Sequence, residues 1–164
     1  MAPRKAADRA QAGWLLKPVA QLKPLDEDRA ESEIAELAAI ADDEDLPRLA
    51  KLLTAGGAAR EFLAAAFDLS PFLRDLARRR PLMLDALFDQ PVDERLHAIA
   101  GDIEAAWRAE GVNEAALMTE LRQLKTEAHF LIALSDLAAE AETGLTVRRL
   151  SDLADKCACS AVNF

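Results

Sequence analysis

The stretch NEAALMTELRQLKTEAHFLIALSDL, from Asn113 to Leu137, decides the fold class. Asn113 is a favourable N-cap, and Glu114 puts a negative charge in the first turn, where the helix dipole is positive. Apolar residues then recur at Leu117, Leu121, Leu124, Ala128 and Leu131, a 4-3-4-3 spacing that draws one stripe along a helix. No Gly or Pro interrupts the pattern before Gly144, so the spacing predicts one long amphipathic helix over about 113–141.

The rest of the composition agrees. Hydrophobic residues make up 51% and charged residues 30% of 164, the balance of a folded globular chain with enough length for a real core. The apolar share is mostly Ala and Leu, Tyr is absent, and aromatics reach only 5%. Small, unbranched residues favour helix and close helix–helix approach, whereas strands want β-branched and aromatic residues. An all-α irregular bundle of roughly six to eight helices follows.

Charge is unevenly placed. Between Asp26 and Asp45 stand ten carboxylates and one Arg29, which equals the whole net charge of −9. An acidic block opposes binding to nucleic acid, whose phosphates need the opposite sign. It suits either a solvated helix face or a basic partner surface. Cys157 and Cys159, two residues apart on a helix, point to opposite sides and cannot bridge each other there. With His97 and His129 far back in sequence they form no metal set, and reduced, half-buried thiols are expected. No targeting segment and no apolar run near the ~20 residues of a membrane span is visible, so a cytoplasmic location is expected.

Along the chain, residues 1–25 read as a flexible tail punctuated by Pro3, Pro18 and Pro24, with Trp14, Leu15 and Leu16 its one apolar cluster. Residues 26–164 read as one helical domain. A helix through Ile34, Leu37 and Ile40 or Ala41 should break at Asp42-Asp43-Glu44-Asp45, and Pro47 should start another ending at Gly56-Gly57. A helix from Ala58 to Phe67 buries Phe62, Leu63 and Phe67. Ser70-Pro71 then starts a helix to about Arg80, with Pro81 opening a further turn or two to Phe88. Asp93–Glu110 carries Leu96, Ile99, Ile103 and Trp107 on one face, with Gly111 as a left-handed cap. A last helix, capped by Thr146, shows Val147, Leu150, Leu153, Ala154, Ala158, Ala161 and Val162 in a periodic series still running at Phe164.

Few residues are candidates for chemistry. Neither Cys has a His near it in sequence. His129 could serve as base or ligand, but Glu127 does not share its helix face, and a packing or surface histidine is the simpler reading. Arg122 and Lys125 share a face, where ion pairing with neighbours is worth only ~0.2–0.5 kcal/mol per pair. Arg78-Arg79-Arg80 is the one basic run; it sits near a helix C-terminus, which favours cations, and is a candidate anion or partner contact.

Leu117, Met118, Glu120, Leu121, Arg122, Lys125, Ile132, Ala133, Asp136 and Leu137 also form a recognisable pattern. It resembles the LMxELRxxK/R…IAxxDL segment of the glutamine synthetase adenylyltransferase/adenylyl-removing family. Ser70-Pro71-Phe72-Leu73 with Arg78-Arg79-Arg80-Pro81 upstream, and Leu150-Ser151-Asp152-Leu153-Ala154 with Ala161-Val162-Asn163-Phe164 downstream, agree in kind and order. The resemblance covers roughly residues 62–164 and implies an amino-terminal helical region. For the whole enzyme it implies reversible adenylylation of a glutamine synthetase tyrosine. ATP and Mg²⁺ would supply the AMP and phosphate would remove it, under control of glutamine and a PII-type protein. Arg122 and Lys125 would then form a cationic edge toward a catalytic domain, although Gln123, Leu124, Thr126 and Glu127 stand where many relatives carry a denser Arg run.

The family's catalytic domains carry a Gly-Gly loop followed by Ser-Asp-x-Asp. Here the one Gly-Gly, Gly56-Gly57, has no Asp-x-Asp after it, and Asp26-Glu27-Asp28 precedes it. We therefore expect no catalytic, cofactor or metal residues in this chain, which stops about where the family enters its first catalytic domain. Its role would be to brace the rest of its own enzyme and to contact glutamine synthetase or the PII-type protein. A piece of this kind should expose an apolar seam along its last helix. The rivals are a stand-alone acidic helical interaction module and a small enzyme with an unrecognised site. The long helix has a direct test. Leu124→Pro should unfold the chain, since interior proline costs about 3 kcal/mol or more, and retention of full helicity by circular dichroism would refute that helix.

Overall fold

Residues 22–139 and 142–164 are described by the computed structural model. Among them are eight α-helices, one 3-10 turn and no strand, the all-α class that the periodicity predicts. The tail expected at 1–25 lies outside the described residues apart from its last four. Where the sequence reads as one domain from residue 26 onward, the contacts group the chain into two compact units. Of the described residues, one unit runs to Pro91 and takes in 137–139; the other comprises Val92–Asp136 and 142–164.

The first unit is built on α1 (Glu27–Asp43), α2 (Pro47–Thr54), α3 (Ala58–Leu69), α4 (Pro71–Arg79) and the short α5 (Leu82–Asp85), which continues as a 3-10 turn at Ala86–Phe88. Asp26 caps α1 by accepting the Arg29 N–H at 3.0 Å, and Ala30, Ile34, Leu37 and Ala41 form its buried face. The acidic run ends α1 through a defined cap. Asp45 takes the left-handed region at φ 55°. The Leu46 N–H reaches the Ala41 carbonyl at 2.8 Å and the Asp45 N–H reaches Asp42 at 3.1 Å. This is a Schellman pattern with Asp where Gly usually stands, and the buried Leu46 supplies its apolar contact.

Pro47 opens α2 at its first position. Gly56 and Gly57, at φ 75° and 102°, make the turn into α3, a backbone path that a Cβ would oppose. α3 is the centre of the unit, buried at Ala59 and from Phe62 through Asp68. Ser70 ends α3 and caps α4 through its hydroxyl, as Ser-Pro predicts. α1 packs on α2, α3 and α4.

The acidic block does more than solvate a face. Glu31 pairs with Arg60 of α3. Glu33 holds Arg74 at 3.4 Å and also pairs with Arg78 of α4, which Glu36 contacts as well. Asp42–Asp45 remain exposed. A further fork joins Arg48 of α2 to Asp85 at 2.7 Å and Asp89 at 2.6 Å. Such partly exposed pairs add little stability each, and they form where the apolar packing of α1 on α3 and α4 brings the charges together.

The buried Asp68 near the end of α3 is different in kind. Its Oδ2 accepts the Leu25 N–H at 2.6 Å and the Asp26 N–H at 3.2 Å. Its Oδ1 accepts the Arg29 Nε at 2.6 Å. Burial alone would raise this carboxyl, but the Leu25 N–H, Arg29 and the Asp26 N–H together hold it below its ordinary value.

The second unit is built on α6 (Val92–Ala106), α7 (Glu114–Leu137), of which it holds all but the last residue, and α8 (Thr143–Asn163). α6 stops at Ala106, four residues before the expected end at Glu110. Between Ala106 and Leu117 no residue is buried, and tight bonds such as Arg108 N–H to Ala105 take over. Trp107 is half-buried with the Arg108 guanidinium 4.3 Å over its ring, and Gly111 turns at φ 72°.

Asn113 caps α7 by accepting the Ala116 N–H at 3.0 Å. Of its stripe, Leu117, Leu121, Ala128 and Leu131 are buried and Leu124 is half-buried. From Ala128 to Ser135 most positions are buried, so the helix is amphipathic in its first half and enclosed in its second. It ends at Leu137 rather than 141, where Ala139 adopts φ 54°; residues 140 and 141 lie outside the described set.

The native Asp68 carboxyl lies below its unfolded value, so its contribution is complete above about pH 4 and is lost as pH falls through the native value. Asp68→Asn should therefore lower the urea midpoint at pH 7, with the gap to wild type closing toward pH 3. A gap that persisted unchanged to pH 3 would contradict this assignment.

Candidate interaction face

α8 begins at Thr143 with Glu142 at its cap, four residues before the Thr146 cap expected from sequence. The Leu145 and Thr146 N–H groups already bond to the Glu142 carbonyl, and the Thr146 hydroxyl is used elsewhere, donating to Asp136 at 2.7 Å. Asp136 to Thr146 and Ser135 to Arg149 set α8 antiparallel to α7. Along α6, with which it packs, Arg149 meets Asp93 near the start and Lys156 meets Glu104 near the end.

The inward side of α8 is Arg149, Leu153 and Ser160. Burying a guanidinium is costly unless it is paired. Here Arg149 donates to Asp93 at 2.6 Å and to the buried Ser135 hydroxyl at 3.2 Å, while Ser135 itself donates to Ile132. Sequence reading passed over Arg149. The signal was its 4-3-4 spacing with Leu153, Lys156 and Ser160, the face opposite the more apolar series.

That apolar series faces outward. Val147 is 55% exposed, Leu150 41% and Val162 85%, and Ala154, Ala158 and Ala161 between them are exposed too. At 3.6 residues per turn these positions fall within an arc of about 120°. Leu153 leaves the series for the core, at 8% exposure. The seam expected along the last helix is present.

Between α6, α7 and α8 lies a cleft of about 230 Å³, with Leu96, Ala128, Ile132 and Leu153 among its walls and His97, Asp152 and Lys156 among its polar residues. Lys156 pairs with Glu104, which lowers the Glu104 carboxyl and raises the amine.

Of the residues singled out in the sequence, Lys125 lies near enough to both His129 and Cys157 for its charge to act on them. Arg122 and Lys125 are both exposed on α7. His129 is half-buried, and burial followed by the Lys125 charge pushes its imidazole down, which favours the neutral ring. Arg78 is engaged with Glu33 and Glu36, Arg79 is exposed 4.0 Å from Asp75, and Arg80 is half-buried at the end of α4. Cys157 is half-buried with its thiol pushed up by burial, and Cys159 is exposed. Among the described residues no group of three or more His, Cys, Asp or Glu is placed to hold a metal ion, and no helix is long and apolar enough to cross a membrane.

The two faces of α8 make opposite demands. In the isolated chain Leu153→Ala should cost ~2–4 kcal/mol, as truncation of a core leucine does. Leu150→Gln, only a turn away in sequence, should change stability by less than ~0.5 kcal/mol. Equal losses in urea unfolding would mean that the helix faces the other way.

Comparison with known proteins accords with this architecture. The model of the glutamate-ammonia ligase adenylyltransferase family matches residues 60–164. A bifunctional glutamine synthetase adenylyltransferase/adenylyl-removing enzyme of Mesorhizobium japonicum is 64% identical over 158 residues, 96% of this chain and 16% of that protein. Its counterpart in Brucella suis is 43% identical over 157 residues, again 96% and 16%. The counterpart in Rhizobium meliloti is 33% identical over 149 residues, 88% of this chain and 15% of that protein. The chain thus spans about a sixth of the length of these relatives. No solved structure matches it. With the family model covering most of the chain and the relatives aligning along nearly all of it, the chain belongs to the glutamate-ammonia ligase adenylyltransferase family.

Proposed function

We propose that these residues are the amino-terminal helical region of a bifunctional enzyme that adenylylates and de-adenylylates glutamine synthetase, and that they serve it as a non-catalytic scaffold. The observation that carries this reading is the outward apolar face of α8 in a chain whose relatives are about six times its length. Val147, Leu150 and Val162 along one helix are a surface fit for burial against further helical structure of the same enzyme. Ala154, Ala158 and Ala161 between them would let a partner helix approach closely.

The local chemistry agrees with a scaffold. Gly56-Gly57 lies in a turn between two helices, where its conformation serves chain reversal. A phosphate-holding loop would need backbone N–H groups gathered around an anion and acidic metal ligands close by. In this reading ATP and Mg²⁺ bind in nucleotidyltransferase domains beyond these residues. Glutamine synthetase and a PII-type signalling protein are the partners of the whole enzyme, which works in the cytoplasm. The exposed Arg122 and Lys125 on α7, and Arg79 and Arg80 at the end of α4, are the cations offered for contacts within or between proteins.

The test uses the full-length enzyme and this chain side by side. Residues 1–164 alone should transfer no AMP from ATP to glutamine synthetase. Full-length enzyme carrying Val147→Asp with Leu150→Asp should lose about tenfold or more of both activities, because charge is forced into a desolvated contact. AMP transfer by the isolated chain, or a double variant with unchanged activities and protease resistance, would overturn the proposal.

A further inference from the structure

Residues 22–26 form a short non-helical strap, bent at Leu25, that leads into α1, and its attachment is unusual. Leu25 is 81% exposed, so its side chain contributes no apolar anchor. What holds its backbone is the Asp68 carboxylate, which takes the Leu25 and Asp26 N–H groups on one oxygen. The other oxygen takes Arg29, with Nη2 2.5 Å away. Asp68 belongs to α3 and its side chain is wholly buried, so the strap is tied to the centre of the first unit through one side chain. Leu22 and Pro24, both half-buried, lie along an open groove with Glu31, Arg60 and Ala64.

We propose that Asp68 is a latch, and that the strap at residues 22–26 opens and closes on α3 as a unit separate from the helices. Two features make the opening local. Asp26 is the one strap residue bonded to α1, as its N-cap and first carbonyl acceptor, so releasing the Leu25 and Asp26 N–H groups from Asp68 breaks no hydrogen bond in the helix interior. The carboxylate left behind keeps Arg29, whose side chain is half-exposed and starts from the first turn of α1. The latch fixes the point at which the chain preceding Leu22 joins the first unit, and releasing it frees that point while the helical core stays intact.

Residue-resolved hydrogen exchange on the whole chain at neutral pH tests this. In wild type, Leu25 and Asp26 should exchange by an opening easier than that of Leu63 and Phe67 in α3. Asp68→Asn removes the charge while keeping one acceptor. It should speed exchange at Leu25 and Asp26 by ~10- to 100-fold, the loss expected for hydrogen bonds to a charged group, with Leu63 and Phe67 speeding up by no more than the lowered global stability requires and remaining the better protected pair. If Asp68→Asn also weakens α3, Leu25→Pro decides the matter. It deletes one strap donor without touching the core and should speed the Asp26 amide alone. The latch is refuted if Leu25 and Asp26 open only together with α3 in wild type. It is equally refuted if their rates are unchanged in a folded variant.

Discussion

A guanidinium can enter a helical core only where its charge and donors are met, and in the second unit that condition fixes how α8 lies. Arg149 reaches Asp93 at the start of α6 and Ser135 near the end of α7. Those two bonds determine which side of α8 is inward. With Arg149 turned in, Leu153 and Ser160 follow it into the core, and Val147, Leu150 and Val162 are carried to the surface. The polar anchor and the exposed seam are therefore one arrangement. A face that is more apolar than the one buried is an improbable end point for a helix with no further partner, since turning it inward would remove more apolar surface from water. The proposed scaffold role accounts for that face by giving it a surface to cover it.

The first unit uses the same device at its other end. α3 is buried on nearly every side, and its one buried acid, Asp68, gathers the beginning of α1 through Arg29 and two backbone donors. Around it, Glu31, Glu33 and Glu36 meet Arg60, Arg74 and Arg78, so the charge imbalance of the sequence is partly an internal pairing scheme. This weakens the idea of an acidic adaptor whose charge is all available to partners. Glu27 and Asp28 at the start of α1 and the run from Asp42 to Asp45 at its end remain as exposed acidic surface.

What the sequence disclosed follows from how local the cause was. Ser70-Pro71, Asn113 and Gly56-Gly57 act within a few residues, and each marks the boundary it appeared to mark. The long helix was legible because its stripe at Leu117, Leu121, Ala128 and Leu131 repeats over many turns. Other boundaries were not legible. Asp45 and Ala139 take left-handed conformations without being glycine, and α6 stops at Ala106 because burial ends there. The facing of α8 depends on Asp93 and Ser135, far away in sequence, and no periodicity within the helix could reveal that. The acidic residues carried a sign in the sequence but no addresses, because ion pairing is decided by the packing of α1 on α3 and α4.

The most direct test of the account is the mass of the native protein that contains these residues, by immunoblot of the source cell with an antibody raised to this chain. A band several times heavier than 17.8 kDa is predicted, as an enzyme on which the α8 face is covered requires. A single band at 17.8 kDa would contradict the account. It would leave a free helical protein whose apolar face must be met by some other partner.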